Sequence, residues 1–219
     1  MTKTGAATTR PAFEDHAESV TDWARTNAKP LGIAVGVVAL AAVLWIVGNQ
    51  WRHQRADAAD AALSRARQSF AQGNLPLAQT DLRRVIARFG GSSAASQATM
   101  LLAQAYYEQG KADSGLRVLN DGKPSSQDRA TFEALKGAGY EQQKKYAEAA
   151  ERYQAAAALT EAKVAKDRYM ADAARTLTDA GKKAEAEKIW LALSKDNTSP
   201  YSAEARVRLG ELTATPAGK

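Results

Sequence analysis

AQAYYEQGKADSGLRVL, residues 103–119, carries the pattern that decides the fold. Ala103 and Tyr106 lie in one helix-like run, Gly110-Lys111-Ala112 makes a turn, and Gly115 and Leu119 follow five and nine residues after Gly110. Glycine ends a helix there without the steric cost of a Cβ. A small residue then lets two helices cross closely, and a large one a turn later fills the space beside the crossing. Three other segments repeat the arrangement. Their turns are Gly73-Asn74-Leu75, Lys144-Lys145-Tyr146 and Gly181-Lys182-Lys183. Their small residues are Ala78, Ala149 and Ala186, and their large ones Leu82, Tyr153 and Trp190. The turns begin 37, 34 and 37 residues apart, a period that belongs to stacked α-hairpins.

The surrounding residues agree with helices throughout. Leu82, Val85, Ile86 and Phe89 recur at helical spacing, alanine is abundant, and no alternating apolar–polar pattern marks a strand. Gly137, Tyr140 and Tyr146 repeat the small–aromatic–turn order in the third unit, and Ala174 and Leu177 give a weaker version in the fourth. Gly90-Gly91-Ser92-Ser93 and Asp121 to Ser126 separate units. A last helix is predicted from Pro200 to Leu212, with Ser199 as its cap and Pro200 in its first turn. Its Glu204, Arg206, Arg208 and Glu211 provide the polar outer face that ends a solenoid.

Upstream, Leu31 to Gly48 (LGIAVGVVALAAVLWIVG) runs for 18 residues without a charge, Asn, Gln or Pro. As a helix it would rise about 27 Å, close to the hydrocarbon thickness of a bilayer. Trp45 and Trp51, then Arg52 and Arg55, fit one membrane–water interface. A buried soluble helix would keep a polar stripe, and this run has none. A signal peptide is the competing reading, with Ala56-Asp57-Ala58 as a cleavage mimic, but the leader carries four acids against four bases and lacks a basic n-region. The expected organisation is a largely disordered tail at 1–30, a transmembrane helix at 31–48, a helical domain at 49–213 and a frayed tail at 214–219. Within the tail, Phe13, Ala17, Val20 and Ala24 recur at helical spacing and fit a short helix against the membrane, but Glu14, Asp15, Glu18 and Asp22 argue against strong binding to anionic lipid and favour a loosely ordered tail. Gly32 and Gly36 form a GxxxG, the spacing at which two membrane helices pack closely. Orientation is not set by charge, because Arg25 and Lys29 on one flank balance Arg52 and Arg55 on the other.

Reactive chemistry is sparse. There is no cysteine, hence neither disulfide nor thiolate, which suits an oxidising compartment without proving one. His16 and His53 stand on opposite sides of the apolar run and cannot share a metal. No GxSxG turn or phosphate loop is present. The net charge of +6 is spread among interleaved acids, unlike the clustered basic face that nucleic acid selects. No cofactor, no nucleic acid and no enzymatic activity are expected.

The hairpin period is near that of the tetratricopeptide repeat. The fold class expected is therefore all-α: one transmembrane helix, then a tetratricopeptide-like solenoid of about four units with a C-terminal capping helix. In layout the chain also resembles the family of ancillary subunits of the SecYEG translocon. The shared features are a short acidic leader with Asp22-Trp23, the apolar run, Trp51 and the repeats, the Leu82 to Phe89 segment, and the closing Ser199-Pro200-Tyr201-Ser202-Ala203. That resemblance implies a single-pass protein of the bacterial inner membrane, with its N-terminus cytoplasmic and its helical domain periplasmic. It further implies contact with SecYEG and a periplasmic chaperone.

Such modules act by binding. The first helix of each hairpin lines the concave side of a solenoid. Counting back from each turn places Arg67, Phe70, Gln97, Met100, Gln104, Tyr107, Glu141, Arg168 and Arg175 in that groove. Tyr107, Met100 and Arg175 would suit an extended, partly apolar polypeptide client. The alternative is that these side chains only solvate the inner surface while partners use the convex side or the membrane helix. A corresponding second function is a structural scaffold for another membrane or envelope complex, assembled through Gly32 and Gly36 within membrane lipid.

Overall fold

A computed structural model describes residues 28–214, and within that span the side chains of Ala28, Pro30, Leu31, Gly32, Ala34 and Val35 lie outside the described set. The tail expected at 1–30, including its amphipathic stretch, and the frayed end at 214–219 therefore fall almost wholly outside the described residues. The chain divides into two compact units, Met1–Gln54 and Arg55–Lys219. Among the described residues all regular structure is helical: α1 (Ala28–Ala71), α2 (Leu75–Arg88), α3 (Ser93–Glu108), α4 (Ala112–Asp121), α5 (Arg129–Gln142), α6 (Tyr146–Ala158), α7 (Lys163–Asp179), α8 (Lys183–Lys195) and α9 (Ser202–Thr213).

The repeated turns share one hydrogen-bond pattern. Gly110 N–H donates to Tyr107 O at 2.9 Å, and Lys111 N–H reaches back to Tyr106 O at 2.9 Å. The same two bonds recur as Gly73 to Phe70 and Asn74 to Ser69, Lys144 to Glu141 and Lys145 to Tyr140, and Gly181 to Thr178 and Lys182 to Leu177. The wider-spanning bond of each pair is the closure by which a helix ends on a left-handed residue. That residue has φ of 74°, 69°, 59° and 74° at Gly73, Gly110, Lys144 and Gly181 respectively. The third turn thus holds a lysine where the other three hold glycine.

The small and large positions of the repeat meet inside the domain. Ala78, Ala149 and Ala186 are fully buried, as are Leu82 and Trp190. Leu82, Val85 and Phe89 of α2 pack with Ala59, Leu63 and Ala66 of α1 and Ala94, Ala98 and Leu102 of α3. Tyr107 of α3 lies against Gly115 of α4 and Gly139 of α5, and Tyr153 of α6 lies against Gly137 of α5. At the far end Trp190, Ile189 and Leu193 of α8 join Leu177 of α7 and Ala205 of α9. From α2 onward each helix packs on its neighbour in sequence, and α3 also touches α5. Through that last contact, the first helices of two successive hairpins meet.

One expected boundary moves. The last helix starts at Ser202, not Pro200, and its cap position is Tyr201, without a side-chain cap bond. Ser199 instead accepts from the Tyr201 N–H at 3.3 Å, while its own N–H donates to Asp196 O at 3.0 Å. Asp196 Oδ1 takes the Thr198 N–H at 2.9 Å, so the aspartate organises this segment as a turn and delays the helix.

In the first unit, Val37, Val38, Leu40, Leu44, Trp45 and Trp51 are all more than half exposed. Among the described residues no helix is long and apolar enough to cross a membrane. The run at 31–48 enters that statement only in part, because four of its side chains are outside the described set. Gly36 lies on α1, where an added Cβ would meet nothing within 4 Å, whereas Gly32 falls outside the described side chains.

Candidate polypeptide-binding groove

The nine expected groove residues fall on α1, α3, α5 and α7, the first helices of successive hairpins. They do not form one continuous lining. Arg67 of α1 is exposed and its guanidinium donates to the Gln97 side-chain oxygen of α3. Gln97 in turn donates to Ser93 Oγ at 3.3 Å. Phe70, Met100 and Gln104 are half-buried, and Met100 packs on the cluster of Ala103, Leu119 and Phe132.

Tyr107 is a core residue and not a groove residue. It is 8% exposed, and its hydroxyl donates to the Leu135 carbonyl at 3.1 Å. Burial pushes its phenol pKa well above the ordinary range, so it stays neutral. The reason is geometric: Tyr106 and Tyr107 are adjacent, about 100° apart around the helix. Tyr106 takes the outer position, where it accepts a hydrogen bond from Arg83 and stacks under that guanidinium at 5.8 Å. Tyr107 is left to fill the space over Gly115 and Gly139.

Glu141, Arg168 and Arg175 belong to one charge network nearer the C-terminus. Arg175 grips Glu204 of α9 with two bonds, Nε to Oε1 at 2.8 Å and Nη2 to Oε2 at 2.6 Å. Its third nitrogen donates to Asp172, and its guanidinium lies 5.9 Å from the Tyr201 ring. Arg168 stands 3.9 Å from the other Asp172 oxygen and remains largely exposed. Glu141 accepts from the Tyr153 hydroxyl at 2.9 Å. Burial raises the Asp172 carboxyl, with Arg175 and Arg168 pulling the other way. The paired Arg175 holds Glu204 below the ordinary carboxylate value, against a smaller opposing effect of burial.

This arrangement changes what the groove offers a partner. Arg175 has its donors engaged within the protein and acts as a clamp between α7 and α9. Arg168, Glu141 and Arg67 are the expected residues that keep exposed charge. Asp172, Glu204 and Tyr201 complete the network and were not among the expected residues. The i,i+4 and i,i+3 spacing of Arg168, Asp172 and Arg175 is visible in the sequence, whereas Glu204 arrives from another element 29 positions away. Among the described residues no three His, Cys, Asp or Glu side chains are placed to hold a metal ion.

Residues 48–171 match the tetratricopeptide repeat-like domain. Among solved structures the chain is similar to the nearly identical TPR-like repeats ascribed to a Podosopora anserina kinesin light chain, with a TM-score of 0.57 and 15% identity. That match covers 70% of this chain and 84% of the other. A singly substituted form of the same repeats gives a TM-score of 0.56 and 16% identity over the same shares of the two chains. At such identities the likeness is one of fold. No curated protein matches the chain.

Proposed function

Because the chain belongs to the tetratricopeptide repeat-like domain family, we propose that it is a non-enzymatic interaction module, tethered to a membrane by residues 31–48, that takes polypeptide partners. The observation that carries the reading is the stack of hairpins whose first helices present Arg67, Arg168 and Glu141 to solvent along one series of elements. Domains of this family generally mediate protein–protein contact, and stacked hairpins supply an extended surface for it. The tether is supported by the 18-residue apolar run and by the exposure of its described side chains from Val37 to Val47. Confinement to a membrane raises the effective concentration at other membrane proteins, so modest affinity per contact is enough.

The finer proposal is association with the SecYEG translocon and a periplasmic chaperone, with the N-terminus cytoplasmic. It rests on the resemblance in layout. The test is site-specific photo-crosslinking of the full chain in native membranes, with the crosslinker at Gln104 or Arg168 for the groove and at exposed Leu191 for the second-helix face. Adducts with translocon or chaperone subunits from the groove positions are the expected result. Adducts from Leu191 alone would move the site to the second helices, and no polypeptide adduct from any position would overturn the reading. A reporter fused after Lys219 gives the side of the membrane independently.

A further inference from the structure

Between α1 and the end of α2 lies an open cleft of about 320 Å³ whose walls carry Arg65, Arg84 and Arg88 against a single carboxylate, Asp81. Arg55 stands beside it, its Nη2 donating to the Arg88 carbonyl at 3.3 Å. Asp81 is taken by Arg84 at 3.0 Å. Among the described residues, Arg55, Arg65 and Arg88 form no ion pair. The contrast with the C-terminal half is sharp: there Lys163 meets both Asp167 and Asp196 at 2.6 Å, and Arg175 meets Asp172 and Glu204.

Arg88 lies with its guanidinium 5.3 Å from the Phe89 ring, and Ala62 and Val85 form an apolar floor between the arginines. Asp57 and Asp60 do not compensate from α1. Asp60 falls about 140° or more around α1 from Arg55, Ala62 and Arg65, and Asp57, about 80° from Arg65, precedes it by eight residues, about 12 Å of helix. Clustered guanidiniums beside a partly apolar floor select an anion with oxygen atoms for the guanidinium forks and an apolar part for the floor. A phosphodiester with an attached glycerol backbone meets both requirements. Position narrows the source. Arg55 and Arg65 follow Gly48, the last residue of the apolar run, by seven and seventeen residues in the sequence.

We propose that this cleft binds the headgroup of an anionic phospholipid. The choice of lipid over a free anion rests on the membrane tether proposed above. The test uses the full chain in neutral detergent micelles, titrated calorimetrically with dihexanoyl phosphatidylglycerol, dihexanoyl phosphatidylcholine or inorganic phosphate. The expected result is saturable binding of the glycerol lipid, with the choline lipid and phosphate much weaker. Arg65→Gln with Arg88→Gln should weaken it by about tenfold or more, the loss of two charge-assisted contacts. Asp81→Asn, which removes the one competing carboxylate with almost no change of side-chain shape, should tighten it by about threefold. That second variant keeps the test decisive if the double variant unfolds. Equal binding of phosphate and glycerol lipid, or no response to either variant, overturns the assignment. Alkaline extraction of the full chain from membranes separates the two readings. A chain that extracts yet binds the lipid fails the tether alone, and a chain that stays but binds none fails the cleft.

Discussion

Lys144 carries a conformational cost that Gly73, Gly110 and Gly181 avoid: at φ 59° its Cβ crowds the backbone. A non-glycine residue in that region costs roughly 1–2 kcal/mol, of which the greater unfolded-state freedom of glycine would return about half. Lys144 is exposed and its side chain makes none of the ion pairs above. Lys144→Gly is therefore expected to stabilise the domain by about 0.5–1 kcal/mol, seen as a higher urea midpoint with an unchanged slope. A lower midpoint would mean that the side chain contributes something the turn geometry does not reveal. Glu204 makes the opposite kind of contribution. Arg175 holds its folded pKa below the ordinary 4.5, so its stabilisation is complete above that value and is lost as pH falls through the lower folded one. Glu204→Gln should cost about 0.5–1 kcal/mol at neutral pH, the scale of a half-exposed bidentate pair. The gap between the two melting curves should close as the pH is taken below 4.5. A gap that persists in acid would assign the loss to packing instead of charge.

Gly115 sits inside α4, where alanine is ordinarily better by about 0.5–1 kcal/mol. Here the added Cβ would fall within 2.9 Å of Tyr107 Cζ and closer still to two other ring atoms. The ring has little freedom to retreat, since its hydroxyl is tied to the Leu135 carbonyl and lies close against Gly139 of α5. Overpacking of this kind costs about 1–3 kcal/mol, so Gly115→Ala should destabilise by about 1–2 kcal/mol in equilibrium unfolding. In a Tyr107→Leu background the same change should be neutral or stabilising. A cost unchanged by that background would break the link between the two elements. The small–large rhythm of α4, α6 and α8 was readable beforehand because it is local: the turn, the crossing residue and the filler lie within nine positions of one another. Which side of α3 faces the groove was not, because Tyr106 and Tyr107 offer the same chemistry one position apart and the choice between them is made by α4 and α5. The start of α9 was misplaced for a related reason. Ser199-Pro200 is an acceptable helix start by local rules, and Asp196 captures the segment first.

Within the helical unit the contacts form a chain, each helix meeting its neighbours in sequence and little else. Stability in such a stack is a sum of unit and nearest-neighbour terms, so damage at one end should fade with distance. This locality also explains why the repeat was legible while the partners of Arg175 were not: a nearest-neighbour stack writes its period into the sequence, but a clamp between units leaves no local trace. The capping helix tests the idea. Ala205 of α9 is fully buried, and Tyr201, Leu209 and Leu212 pack against the cluster around Trp190. Ending the chain after Thr198 would remove that cover and leave Arg175 without Glu204, exposing Trp190 and Leu193 while touching nothing around Tyr107. Amide exchange should then accelerate through α7 and α8, fall off across α5 and α6, and remain near its original rate in α3 and α4. A uniform loss of protection from α2 to α8 would show one cooperative unit instead, and the additive description of the stack would be wrong.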